Sequence, residues 1–101
     1  MKRYVLSPEA EGDLDAIKSY LVEKAGVKVS RYVIRELRSA IRFLAKMPRA
    51  GHYRKDLTKE PLLFWPVYSY LIVYNPDRQP IEIVRILHAS RDATALLAAK
   101  G

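Results

Sequence analysis

A chain of 101 residues, half of them apolar, supports one domain with one core and little more. It contains no cysteine, which excludes a disulfide framework and a thiolate metal site. The net charge of +7 favours acidic partners, and its placement is uneven: Glu9, Glu11, Asp13, Asp15 and Glu23 precede Gly26, whereas fourteen Lys/Arg against six acids come after it, a local balance of +8.

Lys2–Leu6 reads as a short strand, with Tyr4 and Leu6 on one face and Val5 on the other. Ser7-Pro8-Glu9 is a helix start: serine caps, proline suits the first helical position, and the acids of the first turns complement the dipole. Ala10, Leu14, Ile17 and Leu21 fall on one stripe at helical spacing, and Gly26 is expected to end that helix as a left-handed cap. A second helix runs from about Lys28 to Met47. Its core face is Val33, Leu37, Ala40, Ile41, Leu44 and Met47, while Lys28, Arg31, Arg35, Arg38, Arg42 and Lys46 share an arc of about 80° on the opposite side. Pro48 stops it. So short a turn between the helices predicts an antiparallel hairpin.

Arg49–Pro61 reads as a polar loop with room for a short strand. Leu62–Trp65 is a strand that Pro66 interrupts or turns at an edge. Val67–Tyr74 reads as the next strand, with Tyr68, Tyr70, Ile72 and Tyr74 on one face. Asn75–Pro80 is a hairpin loop of turn formers, and Ile81–His88 pairs back antiparallel. His88, Arg91 and Asp92 then form a polar elbow before a short helix, Ala93–Ala99, which Asp92 is placed to cap. The order predicts one α+β domain over residues 1–101, without repeat or linker. The start has only a very short apolar run, so no signal peptide is expected, and no stretch approaches the roughly 18 apolar residues of a membrane span. The expected location is the cytoplasm, with no membrane partner.

Several side chains carry competing readings. The Arg/Lys arc is either a solvated face or a binding surface. Tyr32, Glu36, Ser39 and Phe43 form a flank between the basic and apolar faces, where aromatics either cover the core margin or anchor a partner; Trp65 and Tyr68 share that ambiguity. Arg85, placed by strict alternation with Ile83 and Leu87, calls for a carboxylate partner, with Asp56, Asp92 and Glu82 as candidates. His88 is a hydrogen-bonded elbow residue or a proton carrier. His52 stands apart in a loop, and no His/Asp/Glu cluster has ligand spacing, so neither metal nor cofactor is expected.

The residues also resemble a known family, over essentially the whole chain. Tyr4–Leu6 before Ser7-Pro8-Glu9-Ala10, then Asp13-Leu14 and Ile17, is similar to the opening of ParE-type toxins of the ParE/RelE superfamily. Pro48 and Gly51 sit where that family has Pro-x-x-Gly. Arg54, Asp56 and Leu57 resemble the family's next segment, and Tyr70–Tyr74 and Ile83–Asp92 resemble its final hairpin and elbow. The resemblance implies a small antiparallel sheet with an N-terminal strand, a two-helix antiparallel hairpin on one face and a short C-terminal helix. It implies the toxin of a type II toxin–antitoxin pair, neutralised in a hetero-oligomer by a ParD-like antitoxin and acting on DNA gyrase without cutting nucleic acid. On that reading Tyr32, Arg35, Glu36, Phe43, Trp65 and Tyr68 contact the antitoxin, Arg85, His88 and Arg91 contact the target, and there is no catalytic residue. The alternative is a RelE-like, ribosome-dependent messenger-RNA endonuclease. Arg54, Lys55, Arg85, His88 and Arg91 would then supply cations and one proton carrier, with Arg85, His88 and Arg91 as catalytic candidates.

Overall fold

In the computed structural model, which describes residues 3–92, the chain runs through β1 (Tyr4–Leu6), α1 (Pro8–Ala25), α2 (Val27–Lys46), β2 (His52–Tyr53), β3 (Leu63–Val67), β4 (Tyr70–Asn75) and β5 (Ile81–His88). The helix expected over Ala93–Ala99 lies outside the described residues. The five strands form one sheet in the order β1-β5-β4-β3-β2. The sheet is mixed rather than antiparallel, because β1 pairs parallel with β5 in the register Tyr4–Ile81 to Leu6–Ile83. Parallel neighbours need a long crossover, and here the rest of the chain supplies it.

Both helices lie on one face. Ser7 caps α1 with its hydroxyl, which accepts from the Ala10 amide at 3.0 Å, and Pro8 opens the first turn. Gly26 alone joins the helices, donating its amide to the carbonyls of Leu21 and Val22. Its φ of 95° is positive as expected, but ψ of 167° takes it out of the left-handed helical region into one open essentially to glycine. The antiparallel return places buried Ser30 opposite Lys18, whose carbonyl accepts the serine hydroxyl at 3.0 Å. Leu14, Ile17, Leu37, Ile41 and Leu44 from the helices meet Leu63, Tyr70, Ile72, Tyr74, Ile81, Ile83 and Ile86 from the sheet in the main core. The opposite sheet face buries a smaller cluster of Leu62, Phe64, Leu71, Val73 and Leu87, with Leu57 and Val84 against it.

Two local departures from simple alternation matter for function. The run expected as one strand, Val67–Tyr74, is divided by a two-residue turn at Tyr68-Ser69; β3 continues through Pro66 to Val67 and closes on Tyr70. Pro66 is tolerated because β2 ends opposite Phe64, leaving no outer strand there to need its missing N–H. On β5, Val73 pairs with Arg85 but Tyr74 pairs with Ile83, so Val84 is a bulge. The extra residue inverts the phase: Arg85 shares a face with Leu87, not with Ile83.

Gly51 packs where no side chain fits. An added Cβ would lie 2.6 Å from the Tyr74 hydroxyl. That hydroxyl accepts the Gly51 amide at 2.9 Å and donates to the Pro48 carbonyl at 2.7 Å, so Pro48-x-x-Gly51 is the cradle of one buried tyrosine.

Candidate functional site

Three surfaces carry the candidate residues. The first is the seam between α2 and the β3–β4 hairpin. Helical spacing puts Tyr32, Glu36 and Phe43 on one flank of α2, and the tight turn brings Tyr68 up beside them. The Tyr68 hydroxyl donates to that of Tyr32 at 3.1 Å, with ring centroids 6.3 Å apart. This hydrogen bond, with nearby Glu36 adding to it, pushes the Tyr68 phenol up to about 12. The Arg35 guanidinium lies 5.6 Å from the Tyr32 ring centre. Farther along, Phe43 tilts against Trp65 at 5.3 Å, and His52 stacks on Trp65 at 6.4 Å with an interplanar angle of 6°.

The structure thus gathers Tyr32, Arg35, Glu36, Phe43, Trp65 and Tyr68 into one band. Tyr32, Phe43 and Tyr68 stay 47, 42 and 61% exposed, so much of each ring faces solvent. Tyr68 also holds φ of 54°, unusual outside glycine and here at the first central residue of a two-residue turn. His52 is the band residue that sequence reasoning set aside; its distance from Trp65 along the chain hid the stacking that β2–β3 pairing creates.

The second surface is the elbow after β5. Arg85 does not pair with Asp56, Asp92 or Glu82. Its Nε and Nη2 both donate to Asp13 of α1 at 2.8 Å, and the Ile86 amide donates to the same carboxylate at 2.9 Å. The side chains are only 13 and 15% exposed. The hydrogen bonds to Asp13 hold the Arg85 guanidinium above its usual pKa. Asp13 finds a free amide at Ile86 because β1 ends opposite Ile83. Sequence reasoning missed Asp13 as the partner because it lies 72 residues away and no local pattern points to it.

His88 stands edge-on to Tyr70 at 5.7 Å, with Nδ1 3.2 Å from the Ser90 hydroxyl. Asp92 accepts the His88 amide at 3.2 Å and returns its own amide to the His88 carbonyl, closing the elbow on itself. Arg91 lies 5.4 Å from the ring centre of Tyr20, another residue the sequence reading missed. His88, Arg91, Tyr20 and Tyr70 line a cleft of about 240 Å³. Burial pushes the Tyr70 phenol up, which keeps it protonated rather than basic. Of the three elbow candidates, His88 and Arg91 meet in this cleft, while Arg85 is tied to Asp13. Arg54 and Lys55 lie in the β2–β3 loop, where Arg54 is paired with Asp56 at 2.8 Å; that bond raises the guanidinium and lowers the carboxyl.

The third surface is the outer face of α2, where Lys28, Arg31, Arg35, Arg38, Arg42 and Lys46 are all exposed. Among the described residues no group of His, Asp or Glu could hold a metal ion, and no helix is long and apolar enough to cross a membrane.

Comparison with known proteins gives this arrangement a family. Residues 4–93 match the family model described as the ParE toxin of the type II toxin–antitoxin system parDE. A Caulobacter vibrioides protein named toxin ParE1 is 33% identical over 97 residues, covering 96% of this chain and 99% of that one. Toxin ParE3 of the same organism is 29% identical, covering 99% of each. A Mycobacterium tuberculosis protein named toxin ParE1 is 32% identical, covering 89% of this chain and 92% of its own length. The fold is shared with a chain from the chromosomal ParDE toxin–antitoxin system of P. aeruginosa, at a TM-score of 0.73 and 18% identity, covering 86% of this chain and 95% of that one. The chain belongs to the ParE family of toxins of type II toxin–antitoxin systems.

Proposed function

We propose that this toxin acts by gripping its target, that the target is DNA gyrase, and that a ParD-like antitoxin neutralises it by seating on the aromatic band between α2 and β3. The observation that carries the antitoxin reading is the row of exposed Tyr68, Tyr32 and Phe43 with half-buried Trp65 against Phe43, bordered by Arg35. Aromatics and arginine are the side chains from which interface anchors are built, and a flexible segment gains most from rigid anchors of this kind. The strained turn at Tyr68 supports the same reading, because unusual backbone is retained where a side chain must be aimed.

Gyrase enters through family likeness, and binding rather than cutting is favoured by the elbow. A ribonuclease needs cations free to meet the phosphate beside its proton carriers. In the cleft His88 could carry a proton, but Arg85 is held by Asp13, and among the described residues Arg91 is the one guanidinium there outside an ion pair. The test is a supercoiling assay with purified gyrase beside translating ribosomes. Inhibited supercoiling with intact message is the expected result. Discrete message breaks that vanish in His88→Ala would establish the endonuclease instead.

A further inference from the structure

Apart from Arg35 at its border, the cationic face of α2 is left over by that assignment. Among the described residues, the ion pairs of this chain use Arg49, Arg54, Arg78 and Arg85, and none uses a cation of this face. A groove of about 370 Å³ between α1 and α2 is walled by Arg31, Arg35, Arg38, Arg42 and Lys18, with Asp15 as the one acid in its lining. A larger hollow of about 950 Å³ beside β1 shares Arg38 and Arg42 and adds Arg3 and Lys46, but Tyr4, Val5, Leu6 and Phe43 line it as well, so the cationic surface proper is the groove between the helices and the outer arc of α2. The two run on from one another through the shared arginines.

We propose that this face binds the phosphate backbone of duplex DNA, whichever partner the aromatic band takes. The first argument is segregation. The exposed large apolar residues of α2 are Val27, Val29, Tyr32 and Phe43, and none falls within the arc of cations. A protein segment needs apolar or aromatic anchors, whereas a phosphate backbone is held by charge and directional N–H donors alone. The second is chemistry: four of the six cations are arginines, whose planar fork suits phosphate oxygens. The third is length. At about 1.5 Å per residue, Arg31 and Arg42 are roughly 16 Å apart along the helix. That is long enough to face several phosphates of a duplex. Single-stranded RNA would need stacking aromatics among the cations, and those lie on the other flank.

The test is fluorescence anisotropy of a labelled duplex with the purified chain, against single-stranded RNA and a polyglutamate peptide. If about four phosphates are neutralised, affinity falls ~100-fold between about 50 and 200 mM salt. Arg31→Gln/Arg38→Gln/Arg42→Gln should weaken duplex binding at least tenfold and flatten the salt slope by about three. Arg49→Gln/Lys55→Gln/Lys59→Gln removes the same charge elsewhere and should change affinity less than threefold. If the first triple variant loses its fold, Arg38→Gln alone should still lower the slope by about one. Equal losses in the two triple variants would reduce the effect to net charge and overturn the proposal. So would tighter binding of the RNA or of polyglutamate, or no duplex binding at about 50 mM salt.

Discussion

The two helices of the hairpin meet the rest of the molecule in different ways. α1 adds polar bonds to the apolar contacts of Ala10, Leu14 and Ile17. Ser7 donates its amide to the Ile83 carbonyl and its hydroxyl to the Val84 carbonyl, and Asp13 takes three hydrogen bonds from Arg85 and Ile86. The bulge at Val84 lies between these attachments, so one irregular stretch of β5 serves both. α2 is held by the apolar residues Leu37, Ile41 and Leu44, together with the Ser30 hydroxyl bond. Its remaining faces keep their arginines and aromatics outward. α1 commits Asp13 to the inside of the fold, whereas every cation on the outer arc of α2 stays exposed.

Cutting the fastening should have the largest effect. Asp13→Ala leaves Arg85 nearly buried without its carboxylate and removes the acceptor for the Ile86 amide, so stability should fall by about 3–5 kcal/mol. Urea unfolding measures it; a loss under about 1 kcal/mol would mean that water replaces Asp13 and that the contrast between the helices is superficial. The open side should respond in the opposite sense. Phe43→Ala and Tyr68→Ala should each change stability by no more than about 1 kcal/mol, yet each should weaken antitoxin binding by about 2 kcal/mol, roughly thirtyfold. Calorimetry with the cognate antitoxin separates the two quantities. Unchanged affinity in both variants would remove the band from the antitoxin interface.

A third change tests the joint between the helices. At Gly26 an added Cβ meets nothing within 4 Å, so Gly26→Ala probes backbone strain without steric conflict. About 1–3 kcal/mol should be lost because φ of 95° with extended ψ is closed to alanine. A thermal midpoint equal to that of the parent chain would show that the hairpin can turn through another conformation.

Features that depend on neighbouring residues were legible in the sequence. Ser7-Pro8-Glu9 marked the start of α1, and the flank Tyr32, Glu36, Phe43 stood out as a candidate contact surface; helical spacing gave the core faces of both helices except at Met47, which falls at the C-cap of α2, past its last turn, and stays 55% exposed. Features that depend on pairing between distant segments were not. Arg85 and Asp13 are 72 residues apart, and no local pattern joins them. The bulge at Val84 shifted the phase of β5 without a glycine to announce it. The turn at Tyr68-Ser69 was hidden because apolar alternation continues through it and neither residue is a usual former of a turn with positive φ. β1 was found as a strand, but its parallel direction depends on β5, which lies at the other end of the chain.

The smallest expected effect separates inner from outer tyrosines. Burial pushes the Tyr70 and Tyr74 phenols up, whereas Tyr68 is raised mainly by its hydrogen bond to Tyr32. For a phenol raised in the folded state, the unfolded chain gives up its proton first, at pH about 10. The stabilising contribution is therefore complete below that pH and is lost as pH rises through the folded value. Stability should decline over this alkaline window in the parent chain. The decline should be shallower in Tyr74→Phe, which has one fewer buried phenol to ionise, even though that variant starts lower for lack of its bonds to Gly51 and Pro48. Tyr68→Phe should flatten the slope less, because an exposed phenol keeps much of its solvation and its bond to Tyr32 is weakened by solvent screening. Equal slopes for Tyr74→Phe and the parent chain would show that the Tyr74 hydroxyl reaches solvent without unfolding, and would dissolve the distinction between the closed side and the open one.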